Sequence, residues 1–306
     1  MGMILPLSIT FSTKRPFKLL RERIDKTKGN WWWSHFDRIP SALFGNNVRT
    51  RCTITICDSK KKSGRNFTTS MNRWPAELRD SLFARLNYGM LDCSIVERLP
   101  KIDSQAQADV LNKLLKRQSP LAIDLQASVP FSQLADSAPD FPQPCVYVGG
   151  TAYNWFPVWR DIPETTDVSG NPSLPARTAG YRFRNETEAN IVFAILGSSI
   201  GYWWWAIASD GFNLKKWLIQ SIPISLDMLN AEGKKEVARL GAKLRKELSK
   251  HYVYKDNKGR IGNFYMPACA EVTKEIDIAL AKHVKGVTKK FVDDVADFNS
   301  RFSRSE

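Results

Sequence analysis

The sequence predicts an α/β unit forming one end of a doubly wound sheet, then a mixed α+β domain, then C-terminal helices. Three observations carry this prediction. An apolar run, an amphipathic helical segment and two further strand candidates follow one another within the first 60 residues. Between about residues 66 and 228, short helical and strand-like pieces alternate with proline-rich loops. Beyond residue 229 the apolar spacing is helical throughout. The expected boundaries are therefore 1–65, 66–228 and 229–306.

Met3 to Thr10 is nearly continuously apolar, as a strand buried on both faces would be. Pro16 to Lys26 places Phe17, Leu20 and Ile24 at i, i+3 and i+7, and Pro16 suits a first helical turn. Gly29-Asn30 ends that helix. Trp31 to Phe36 is an aromatic-rich strand, and Val48 to Cys57, alternating through Cys52, Ile54 and Ile56, is a third. Three strands are too few for a stable open sheet, whose bare edge invites pairing. The pattern reads as a fold entered halfway.

In the middle region, helices are expected at Pro75 to Leu86, Ser104 to Leu115 and Glu186 to Ile200, with strands at Cys145 to Val148 and Gly180 to Arg184. Trp31-Trp32-Trp33 and Trp203-Trp204-Trp205 are read as strand triplets that mainly pack inward, since consecutive strand residues point to opposite faces. Three basic amphipathic helices close the chain, at Asn230 to Tyr252, Ala270 to His283 and Thr288 to Phe302.

The formal net charge is +14. Residues 1–100 hold 18 Lys/Arg against 8 Asp/Glu, residues 101–228 hold 10 against 12, and residues 229–306 hold 17 against 11. Positive charge thus gathers at the two ends of the sequence and points to a polyanionic partner, recruited by Coulomb steering and counterion release. Five scattered cysteines without a CxxC pair suit a reduced, cytoplasmic protein without structural zinc. No apolar run approaches the roughly 20 residues of a bilayer span. The three histidines are too far apart for a local metal motif, and Asp227 with Glu232-x-Lys234 opens a helix instead of forming a nuclease centre.

The most informative stretch runs from His35 through Phe44-Gly45-Asn46-Asn47 to Ile56, an aromatic on a loop entering a strand. It resembles the late motif of N6-adenine-specific DNA methyltransferases of restriction–modification or phage-defence systems. Gly2 to Ser8 is similar to that family's fifth-strand segment, Thr69 to Leu86 to the passage into its target-recognition domain, and Phe183 through Trp205 to Leu214 to the end of that domain. The resemblance implies that Phe44 stacks on an adenine flipped out of double-stranded DNA. A base taken from its stack needs an aromatic face, worth roughly 1–3 kcal/mol. Phosphate contacts are expected from Arg49 and Arg51 and from the basic loop Lys60, Lys61, Lys62 and Arg65, read as lying at the same edge.

The family's other signatures are missing. S-adenosylmethionine is the cofactor the resemblance implies, but no strand is followed by its glycine-rich turn; Gly149-Gly150 lacks a following helix. Asn171-Pro172-Ser173-Leu174 is a poor match, wrongly placed, for the catalytic Asn/Asp-Pro-Pro-aromatic element. No catalytic or cofactor-binding residue is therefore assigned. The resemblance implies a C-terminal half that is inactive alone, with a second polypeptide carrying the cofactor half. The alternatives are a non-catalytic DNA-binding specificity module or a truncated gene product.

Overall fold

A computed structural model describes residues 1–45, 50–60, 64–116, 128–129, 144–173, 175, 177–256 and 259–302. The chain divides into two compact units. The first comprises Met1–Gln118 and Ala206–Asp210; the second comprises Ser119–Trp205 and Gly211–Glu306. Among the described residues the fold is mixed α/β, as the sequence implies, with three sheets and several helices.

The first unit is built on a five-stranded sheet of β1 (Gly2–Pro6), β2 (Asn30–Phe36), β3 (Cys52–Asp58), β4 (Asn66–Asn72) and β5 (Gly89–Leu91). The order is β1-β3-β2-β4-β5, with β3 antiparallel to both of its neighbours and β2 parallel to β4. Because β3 opposes both, β1 and β2 run the same way and are joined through α1 (Ser8–Phe11) and α2 (Arg15–Asp25). The expected strand over Met3 to Thr10 stops at Pro6. Proline cannot donate to a ladder, and the chain turns into α1. Nor is β1 buried on both faces: it is an edge strand, and Ile4 is 59% exposed.

Four physical features hold this unit. Arg21 on α2 is buried and donates to the carbonyls of Ile9 (2.9 Å), Ser12 (3.0 Å), Val96 (2.8 Å) and Glu97 (3.0 Å), stitching helix to loop. Trp31 and Trp33 stack on one buried face, and the Trp33 indole donates to Asn66 at 3.0 Å. Trp32, on the other face, stacks on Phe67 with centroids 5.2 Å apart. Lys101 is fully buried and donates from Nζ to the carbonyls of Ile207 (2.8 Å) and Ser209 (2.7 Å), tying in the 206–210 segment.

The sheet does not end near residue 65, since β4 and β5 extend it and α3 (Gln105–Lys116) follows. The helix expected over Pro75 to Leu86 is instead two 3-10 turns, Ala76–Ser81 and Phe83–Arg85. Within β3 the buried face belongs to Thr53 and Thr55, whereas Ile56 is 55% exposed. The threonine face is kept in because His35 bridges it, with Nδ1 3.0 Å from the Thr53 hydroxyl and Nε2 2.9 Å from that of Thr68. Burial, together with the charge of Lys101, pushes the His35 imidazolium well down, so the ring is neutral and structural.

The second unit carries two four-stranded sheets. One orders β6 (Ser128–Val129), β11 (Ala179–Arg182), β7 (Cys145–Val148) and β8 (Val158–Trp159) in that sequence. The other orders β10 (Pro172–Ser173), β9 (Thr165–Thr166), β13 (Arg260–Phe264) and β12 (Tyr252–Asp256). Helix α4 (Glu186–Gly197) starts at Asn185, whose side chain accepts from the Glu188 amide at 2.9 Å; its start is exposed and it is buried from Ile191 onward. It breaks at Ser198 and bends by 62° into α5 (Ser199–Ala208). The triplet Trp203-Trp204-Trp205 lies on this helix, not on a strand, and all three rings are buried. No single helix among the described residues is long and apolar enough to cross a membrane.

Short α6 (Lys216–Gln220) leads to α7 (Ala231–Leu248), α8 (Ala270–His283) and α9 (Lys289–Phe302). As the spacing predicts, Val237, Leu240, Leu244 and Leu248 of α7 are buried. Asn230 caps α7 by accepting from the Gly233 amide at 2.7 Å.

Candidate nucleic-acid interface

Phe44 lies between β2 and β3, on the segment 37–45 of the first unit. Its ring is 45% exposed while its neighbour Leu43 is buried in a cluster with Phe36, Cys52, Trp74 and Leu82. Phe36 meets Trp74 edge-on at 5.7 Å and Phe83 at 5.8 Å, which closes that cluster beneath the loop. The loop is thus pinned by Leu43 and presents the next side chain outward.

Three arginines fix the same loop from its polar side. The Asp37 carboxylate has no exposure and accepts from Arg51 Nε at 2.8 Å, from Arg73 Nε at 2.9 Å and from the Arg38 amide at 2.7 Å. Burial would raise the Asp37 carboxyl, but the Arg51 and Arg73 guanidinium groups and the Arg38 N–H outweigh it and hold the group below its usual range. Arg79 donates to the Leu43 carbonyl at 2.5 Å. The Ile39–Pro40 peptide within the loop is cis. Asp37 and Arg79 therefore both act on the chain leading into Phe44, Arg79 on the carbonyl just before it.

Arg51 is accordingly not an open phosphate ligand. Its Nε is engaged by Asp37, its Nη1 donates to the Asp210 carbonyl at 2.8 Å, and its side chain is 15% exposed. Arg49, Lys61 and Lys62 lie outside the described residues. Lys60 and Arg65 are exposed, with Lys60 at the far end of β3 from Phe44. Seven strand residues separate the two sites, about 20 Å of extended chain. Lys60 and Arg65 therefore do not lie at the same edge as Arg51, contrary to the sequence expectation. Among the described residues, Arg38 on the same loop, Arg79, which reaches the Leu43 carbonyl, and Arg85 are exposed cations that the sequence pattern did not single out.

Measured against family models, curated proteins and solved structures, the chain matches none of them.

Among the described residues, neither string weighed against the S-adenosylmethionine and catalytic signatures forms the element those signatures require. Gly149-Gly150 follows β7, but the chain then runs through a loop to β8 with no helix whose N-terminus could face a ligand. A side chain at Gly149 would meet Trp159 at 3.1 Å and Pro157 at 3.2 Å, so this turn is packed against its own unit. Asn171-Pro172 belongs to an exposed hairpin between β9 and β10.

One carboxylate–histidine group forms that the sequence spacing concealed: Glu232, Glu236 and His283 converge between α7 and α8. His283 Nε2 lies 2.7 Å from Glu236, but Lys282 Nζ sits 3.0 Å from both carboxylates. Lys282 already supplies the positive charge, which makes this an interhelical ion-pair cluster.

Proposed function

We propose that this chain is the DNA-recognition and base-stacking portion of a site-specific DNA adenine-N6 methyltransferase, with cofactor binding and methyl transfer supplied by a second polypeptide. The observation that carries the reading is Phe44. A large aromatic stands half-exposed on a loop whose flanks are fixed by a buried carboxylate, three arginines and an apolar anchor. Folding normally buries such a ring, so holding it outward on a braced loop suits a surface that must meet another π face.

Two further features support it. Strands β1 and β2 are parallel across a helical connection, with β3 slotted between them, as the end of a doubly wound sheet would be. Strand β1 ends the described sheet with exposed Ile4, and neighbouring Ile56 is exposed too; more strands and helices could continue there. The net charge of +14 suits a duplex partner.

The role of this chain's residues follows from that geometry. Phe44 would fill the stacking position of an extruded adenine, Asp37 and Arg79 would hold it there, and Arg38, Arg79 and Arg85 would meet backbone phosphates. The test uses a duplex with 2-aminopurine at each adenine of candidate sites. Binding of the full chain should change its emission, and Phe44→Ala should abolish that change while salt-dependent binding persists. Equal signals from wild type and Phe44→Ala would sink the reading.

A further inference from the structure

A cavity of about 550 Å³ opens in the second unit, inside the size range of small-molecule sites, roughly 300–1,000 Å³. Its walls include Tyr153, Trp155, Trp159 and Pro157; Asn154 and Asn263 add carboxamides, and among the described lining residues Lys255 from β12 carries charge. We infer that this cavity binds a single nucleotide, with the base against Trp155 and the phosphate at Lys255.

The walls are preorganised. Trp155 is held by an edge contact with Tyr265 (5.3 Å, 83°), an arrangement that occupies at most one of its two faces. Asn263 Oδ1 accepts the Phe264 amide at 3.0 Å, which fixes the carboxamide and turns its NH2 end to other acceptors. Glycine brings the walls together. A side chain at Gly149 would press on Trp159 and Pro157, and one at Gly262 would meet the Tyr252 hydroxyl at 1.9 Å and the Glu164 carbonyl at 2.2 Å. Beside the cavity, Arg177 takes a left-handed backbone with φ of 60°, a conformation that non-glycine residues adopt at a cost and that concentrates at ligand sites.

The lining chemistry selects the ligand class. Clustered indole and phenol rings bind either planar heterocycles or quaternary ammonium ions. The charge decides between them: among the described lining residues the charged one is a lysine and none is a carboxylate, so a cation is repelled and an anion attracted. Carboxamides complement the paired donor and acceptor on a base edge. A planar base joined to a phosphate satisfies all three, whether as a free mononucleotide or as an unstacked nucleotide of a strand. The site lies in the second unit and does not depend on Phe44.

The test is calorimetric titration of the full chain with the four deoxynucleoside 5′-monophosphates, using deoxyadenosine and ribose 5-phosphate as single-feature controls. At least one monophosphate should bind saturably, and ribose 5-phosphate should not. Trp155→Ala should weaken binding at least about fivefold, as loss of a stacked base implies. Trp155→Phe should restore most of it, which separates stacking from misfolding. Lys255→Met, on an exposed position, should weaken the monophosphate but not the nucleoside. Phe44→Ala should leave all of these values unchanged. Competition of the bound nucleotide by a duplex with one bulged nucleotide, but not by the fully paired duplex, identifies a strand nucleotide as the ligand. Absence of such competition, with mononucleotide binding intact, identifies the free species. No saturable binding at millimolar concentration, or binding indifferent to both Trp155→Ala and Lys255→Met, overturns the inference.

Discussion

Replacing Asp37 by Asn tests whether the Phe44 loop is electrostatically braced. The substitution keeps volume but removes the charge that two guanidinium groups share, and it turns an amide NH2 towards one of the two arginine donors. Removing one partner of a buried ion pair costs roughly 3–5 kcal/mol. Arg51 and Arg73 retain 15% and 13% side-chain exposure, and Arg51 keeps its bond to the Asp210 carbonyl, so water and that carbonyl relieve part of the loss. About 2–3 kcal/mol remains, which for a unit of this size corresponds to about 10 °C in Tm. Urea denaturation of the full chain, followed by tryptophan emission, measures it. The sign with pH is also fixed. Because the folded carboxyl is held below its ordinary value, its contribution is complete above about pH 4 and disappears as the pH falls through the folded value. Wild type and Asp37→Asn should therefore converge in strong acid. In an Arg51→Met background the cost of Asp37→Asn should shrink by about 1 kcal/mol or more, as coupled partners require. A shift below about 0.5 kcal/mol at neutral pH, or equal costs in both backgrounds, would refute the brace.

Other perturbations have equally definite outcomes. Arg21→Met strips four carbonyls of their donor, that of Ile9 buried and the other three part-buried, and should cost about 2–4 kcal/mol in the same urea assay. Burial pushes the Asp277 carboxyl up to about 7, although the Ser199 N–H opposes it. The folded state then holds a proton that the unfolded chain has released, so stability should fall between about pH 4 and 7 and Asp277→Asn should flatten that fall in Tm-against-pH scans. Burial pushes Lys101 down to about 7, so the unfolded chain binds the extra proton; stability should rise from about pH 7 to 10, and Lys101→Met should remove that rise. Arg38→Gln and Arg79→Gln should each lower the salt slope of DNA binding by about one, whereas Lys60→Gln with Arg65→Gln should leave the 2-aminopurine signal of bound DNA unaltered.

Periodicity reported the local elements well and their neighbours poorly. Helix α2 and strand β2 stand where Phe17, Leu20, Ile24 and the Trp31–Phe36 run put them, because each buries its pattern against the next element in sequence. The failures are long-range. Nothing in Val48 to Cys57 says that Thr53 and Thr55 face inward, since that choice is made by His35 and Thr68 from other strands. The all-apolar Ser199 to Ala208 carries no period at all, and so strand and helix were indistinguishable for its tryptophans. The β12–β13 hairpin escaped because its residues are polar and aromatic without strict alternation.

The candidate site divides along the same line. An aromatic beside a glycine and ahead of a strand is a local feature, so Phe44 stands out in the sequence, and the fold leaves it half-exposed. Its supports were not, because Asp37, Arg51, Arg73 and Arg79 meet only after the sheet forms. A cation is also ambiguous in sequence: Arg51 and Lys60 read alike as basic residues near a strand, yet one is spent on a buried carboxylate and the other faces water. What separates them is the presence of Asp37, an acid that would be too costly to bury at the end of β2 without partners. A buried carboxylate thus marks Arg51 and Arg73 as structural, whereas Arg38 and Arg85 stay exposed and Arg79, exposed too, is held by the Leu43 carbonyl. Under the proposed duplex-binding role, the cations already paired within the fold drop out of the electrostatic footprint, and the net charge of +14 overstates it.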